Sequence, residues 1–145
     1  MDCLSAEPVG SDPYLSNYDR MRLEIRPADV VLVEGRSQIS NIIKNITLRS
    51  WTDAALYIGR LYDIEDADLR EYLAYYHRGE PTEPRVIKAL LGEGTVVRPL
   101  STYRNYHLRI CRPKGLFRSD AELIIRRCIS CIGLDYDVRH LLDLA

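Results

Sequence analysis

Apolar residues along this chain alternate between short β-branched runs and longer stretches at helical spacing. Val30, Val31, Leu32 and Val33 form a nearly continuous apolar run between Asp29 and Glu34. That composition predicts a strand buried on both faces, hence central in a sheet. Ile39, Ile42, Ile43 and Ile46 then fall on one face of a helix over 38–47, with Ser37 as its N-cap. A second apolar strand, Ala54 to Gly59, is entered through Trp51-Thr52-Asp53. The strand, helix, strand unit from Arg26 to Gly59 is the segment around which the remaining elements are organised.

Beyond it, Asp63 to Tyr76 opens with acidic residues suited to a helix N-terminus and places Leu69, Leu73 and Tyr76 on one stripe. A Gly- and Pro-containing loop, 77–84, leads to a strand at Arg85 to Leu90. Gly92-Glu93-Gly94 predicts a hairpin whose second strand is Thr95 to Arg98, ended by Pro99. Alternation from Tyr106 to Cys111 predicts a further strand. Ser119 is the expected cap of a helix over 120–132, with Leu123, Ile124, Arg127, Cys128 and Cys131 on its inner face and Gly133 as its stop. After the Tyr136-Asp137 turn a final apolar helix begins. Residues 1–25 are polar and carry Pro8, Gly10 and Pro13, so they read as a mobile arm leading to an extended piece at Met21 to Ile25, with one domain over 26–145.

Composition narrows the function classes. A chain of 145 residues with a net charge of -1 fits a single core and lacks the basic surplus that general affinity for nucleic acid or anionic membrane requires. No apolar run is long enough to span a bilayer, and the start has no basic region followed by an apolar one, so a soluble, cytoplasmic chain with no membrane span and no nucleic-acid partner is expected. In that compartment the four cysteines are reduced thiols. Cys128 and Cys131 form a C-x-x-C, but near the end of their helix, where the dipole opposes thiolate formation; they read as core residues rather than a redox pair. His107, Cys111 and His140 show no ligand spacing for a metal, and phosphate-loop, dinucleotide and nucleophile-elbow motifs are absent, so neither metal nor cofactor is expected.

Several ordered segments carry a resemblance. "DVVLVEG", the Ser-led helix after it, "WTDAALYIG", "RVIKALLGEGTVVRPLSTY", "YHLRICRPKG" and "GLDYDVRHLLDLA" together resemble the permuted papain-like cysteine hydrolases, the YiiX/YebB-like branch of the NlpC-type cell-wall peptidase superfamily, over roughly Arg26 to Ala145. The resemblance implies an α+β fold in which a small, mostly antiparallel sheet packs with helices, here with its C-terminal part truncated. It also implies a cleft edge at residue 53, with Gly35, Arg36, Ser37, Trp51 and Tyr136 as candidate lining residues. In that family the second strand begins with the catalytic His, a Glu follows on the next strand, and the Cys nucleophile lies on a later helix. Here those first two positions hold Asp53 and Lys88, and no nucleophile follows the last motif within these residues.

These departures change the chemistry. Acyl transfer by a thiol needs an imidazole that accepts the thiol proton and returns it to the leaving amine. A carboxylate, ordinarily near pKa ~3.9, raises the pKa of a neighbouring thiol and has no proton to return. An Asp and a Lys on neighbouring strands are instead expected to form a cross-strand ion pair. Two readings follow: a hydrolase lineage acting on peptide or amide bonds, inactive as this chain, or a non-catalytic domain that binds a peptide, amide or acyl ligand or a protein partner through the old cleft. The uncovered sheet face left by a missing nucleophile helix further predicts self-association.

Overall fold

The computed structural model describes residues 2–4, 15–34, 51–76, 80–90 and 92–135. The helix expected over 38–47 and the segment after the Tyr136-Asp137 turn lie outside them. Among the described residues an edge strand β1 (Asp2–Leu4) is followed by helix α1 (Leu15–Glu24), strands β2 (Val30–Glu34) and β3 (Asp53–Gly59), and helix α2 (Ala67–Tyr76). Strands β4 (Arg85–Leu90), β5 (Gly94–Pro99) and β6 (His107–Arg112) and helix α3 (Arg118–Ser130) complete the order. The open sheet runs β1-β6-β2-β3-β4-β5, and every neighbouring pair is antiparallel. The architecture is α+β. No helix among the described residues is long and apolar enough to cross a membrane.

The β-branched run places β2 where its composition predicts, between β6 and β3. Its Val31 and Val33 are sealed at 0% and 1% exposure, whereas Val30 and Leu32 on the other face are only half-buried. Strand alternation thus divides the interior into two cores. On one face, Val31, Val33, Ala55, Tyr57, Val86, Leu108 and Ile110 pack with Tyr18 and Met21 of α1 and with Leu100 and Tyr103 of a 3-10 turn after β5. On the other, Ile58 and Ile87 meet Leu73 of α2 and Ile125 and Ile129 of α3.

Several expectations need correction. Residues 21–24 are not extended but form the last turns of α1, and Tyr18 and Met21, each 3% exposed, belong to the core. The segment read as an arm also supplies β1, whose Asp2, Cys3 and Leu4 pair with Arg112, Cys111 and Ile110 of β6. The acidic start at Asp63 is a 3-10 turn, Leu61–Asp63; α2 begins four residues later because Asp66 accepts hydrogen bonds from the Asp68 and Leu69 backbone N–H groups and so caps it. Tyr76 is exposed rather than inward. In α3, Ser119 is the second helical residue, since Asp120 reaches back to the Phe117 N–H and starts the helix at Arg118. The inner face of α3 is Ile125 and Ile129, flanked by Cys128 and Ile132; Leu123 is 63% exposed and Arg127 is exposed. The hairpin, β4 and the stop after α3 match expectation: Gly92, Gly94 and Gly133 all take positive φ, and Gly133 donates to the Thr95 carbonyl on β5.

Candidate functional site

Asp53 opens β3 at the end of the sheet where β2 finishes. The Thr52 N–H donates to the Val33 carbonyl at 3.0 Å, and Asp53 stands directly opposite Val33, so the strand entrance is pinned in register. Across the other edge of β3, Leu56 pairs with Ile87 of β4. Alternation from that pair puts Lys88 and Asp53 on the same face, one diagonal step apart. Lys88 Nζ donates to Asp53 Oδ2, while Asp53 Oδ1 accepts the Ala54 N–H at 2.9 Å. The expected cross-strand ion pair is therefore present.

The surroundings make the pair tight. The Lys88 side chain is 10% exposed and that of Asp53 30%. Lys88 Nζ sits 5.3 Å from the centroid of the buried Tyr103 ring, which meets Tyr106 edge-on at 6.1 Å. Burial pulls the Lys88 pKa down, but the hydrogen bond to Asp53 and the proximity of Tyr103 outweigh it, leaving the ammonium above its ordinary value of 10.5. Burial pushes the Tyr103 phenol up, and Lys88 partly offsets that. Chemically this is a closed charge pair resting on an aromatic floor. Each Asp53 oxygen accepts one hydrogen bond from a protein donor, Oδ1 from the Ala54 N–H and Oδ2 from Lys88.

Trp51, half-buried, lies immediately ahead of this entrance. Gly35, Arg36, Ser37 and Tyr136 lie outside the described residues. His107 begins β6 opposite Glu34, on the face away from Asp53, because its neighbours Leu108 and Val33 occupy the Asp53 face. The described thiols are also elsewhere. Cys111 pairs with Val30 at the far end of β2, and Cys128 packs against the opposite core, where burial raises its pKa. Among the described residues no group of three or more His, Cys, Asp or Glu side chains is arranged to hold a metal ion.

Two further features carried no sequence signal. Tyr103 sits in an unremarkable loop sequence, and its role beneath Lys88 depends on the turn that follows β5. At the other end of the sheet, Asp29, 2% exposed, receives Arg112 through Nε at 2.9 Å and Nη2 at 2.7 Å, and Arg112 also donates to the Glu24 carbonyl. This pair joins residues 83 apart in sequence and ties the end of α1 to β2 and β6. Comparison of the chain with protein-family models, with curated proteins and with solved structures found no match in any of the three.

Proposed function

We propose that this chain is a non-catalytic member of the permuted papain-like hydrolases, and that it binds a peptide, amide or acyl ligand at the Asp53 end of its sheet. The observation that carries the reading is the Asp53–Lys88 pair: an ammonium and a carboxylate are locked together on adjacent strands where the family motif would place an imidazole and its orienting acid. The consecutive antiparallel arrangement of β2, β3, β4 and β5, with β6 returning beside β2, supports the lineage. The closed Asp53–Lys88 contact, in place of a free imidazole, supports a binding rather than a catalytic role. Lys88 is held protonated and its ammonium is engaged by Asp53, so it offers no free base to take the proton of a thiol.

Trp51 is the single tryptophan of the chain and stands two residues from Asp53, so its fluorescence reports on this site. Titration with a panel of short N-acylated dipeptide amides is expected to shift Trp51 emission saturably for at least one member. Asp53→Asn and Lys88→Met should weaken that binding, and mass spectrometry should find every ligand intact. Product release by the purified chain would overturn the non-catalytic assignment, and a panel without a single binder would overturn the ligand assignment.

A further inference from the structure

At the end of the sheet opposite Asp53, where β2 starts and β3 and β6 finish, lies a groove of about 690 Å³. One wall is the stretch from Tyr62 to Asp66 and the other is the start of α3. Its floor is apolar: Ile58, Ile64, Leu69, Leu116, Ala121 and Ile125. Two aromatic rings stand at it largely uncovered, Tyr62 at 50% and Phe117 at 75% exposure. A concave apolar volume of this size, with a few charged groups around it, is the ordinary form of a small-molecule site.

The charged groups specify what it would take. Most are neutralised within the chain. Arg112 is held by Asp29, Arg118 by Glu65 and Glu122, and Arg126 by Asp66 at 2.6 Å, so that two of these pairs also tie one wall to the other. Two groups are left over. The exposed Arg26 side chain makes no ion pair among the described residues; nor does Asp63, whose Oδ2 accepts only the Arg60 backbone N–H at 3.1 Å. Both line the groove, and the segments that carry them meet at Gly59: a Cβ built there would stand 3.5 Å from Asp63 Oδ2 and 3.7 Å from Cγ of Pro27, the residue after Arg26.

We infer that this groove binds a small zwitterion of the amino-acid type with a bulky apolar side chain, its carboxylate on Arg26, its ammonium on Asp63 and its side chain against the floor under Tyr62 and Phe117. One cation and one anion on the same groove, both outside its ion pairs, match a ligand that carries both charges. A purely anionic or purely cationic ligand would satisfy one of them and leave the other facing it. The site is independent of the Asp53 end and does not rest on the function proposed there.

Calorimetric titration of the whole chain with L-phenylalanine, 3-phenylpropionate and 2-phenylethylamine tests this directly. Phenylalanine is expected to bind at least tenfold more tightly than either singly charged analogue. Arg26→Gln should abolish its advantage over phenylethylamine. Asp63→Asn, which keeps an acceptor for the Arg60 N–H, should abolish its advantage over phenylpropionate. Ala121→Trp, at a half-exposed helix position, fills the groove and should remove binding of all three while leaving the thermal transition in place. Equal affinity for the three ligands, no binding by any, or binding that survives Ala121→Trp would each overturn the inference.

Discussion

Lys88 is the residue whose environment says most about its site, since a lysine in a strand interior is ordinarily a solvated side chain and here only a tenth of it is exposed. Truncating one member of such a pair leaves the other charge partly buried, which costs more than the pair itself contributes. Lys88→Met and Asp53→Asn are therefore expected to destabilise singly but to be strongly non-additive, with a coupling energy of about 1–3 kcal/mol in a double-mutant cycle read by urea unfolding. The pH dependence has a definite sign. The folded pKa of Lys88 lies above 10.5, so its contribution is fully present below that value and is lost as pH rises through the folded one. The buried phenols of Tyr18, Tyr57 and Tyr103 are raised above 10.0, chiefly by burial, and act in the same direction. The wild type should lose stability steeply above about pH 10, and Lys88→Met should flatten that limb. An unchanged alkaline limb in the variant would show that the pair does not contribute. Arg85, 1% exposed, is a second buried cation; its Nη2 donates to the Glu80 carbonyl at 2.8 Å, and burial lowers its pKa.

Elements in this fold are positioned by their ends as much as by their faces. The turn after α3 lies along β5, with the Thr95 N–H donating to the Leu134 carbonyl at 2.8 Å and Gly133 donating back to the Thr95 carbonyl at 2.9 Å. That approach is possible because Gly94, at φ +75°, has no side chain: a Cβ there would stand 2.3 Å from the Leu134 carbonyl oxygen. Gly92, at φ +82°, has open space where its Cβ would be. Both positions carry the backbone penalty of a left-handed residue, about 1 kcal/mol or somewhat more. Gly94→Ala should therefore cost clearly more than Gly92→Ala in thermal unfolding, the difference measuring the contact between β5 and the end of α3. Equal costs would mean that the contact is not made in solution. Much at this scale was legible in the sequence. The β-branched run, the hairpin glycines and the helix stop act through local backbone preference, and β2, β4, β5 and the end of α3 fall within a residue or two of expectation. The inner faces of helices were less legible. Leu123 and Ile125 have equal claim to a core by hydrophobicity, and only the sheet beneath α3 selects Ile125 and Ile129. In α1 and just after it, Tyr18, Met21 and Ile25 do sit three and four residues apart, but the polar residues among them and the prolines before them hid that spacing.

For the molecule as a whole, one sheet separates two cores, and each core is closed by different elements. Leu100 and Leu73, at 0% and 1% exposure, are central to one core each. Truncation of either to Ala should cost about 2–5 kcal/mol, as for other fully buried leucines. Because both cores share the backbone hydrogen bonds of β2, β3 and β4, both variants should unfold in a single transition, with Trp51 fluorescence and far-ultraviolet circular dichroism coinciding. Separate transitions in either variant would show that the faces are independently stable. Strand periods, turn chemistry and the glycine stop after α3 rest on neighbours along the chain and are legible without coordinates. Which distant surfaces meet, the contact of Lys88 with Asp53 included, is settled only when the chain folds. The Asp29–Arg112 clamp, the aromatic floor under Lys88 and the groove with Arg26 and Asp63 at its edge all join segments brought together by sheet order. No local propensity records such a meeting, because its energy exists only once the strands have paired.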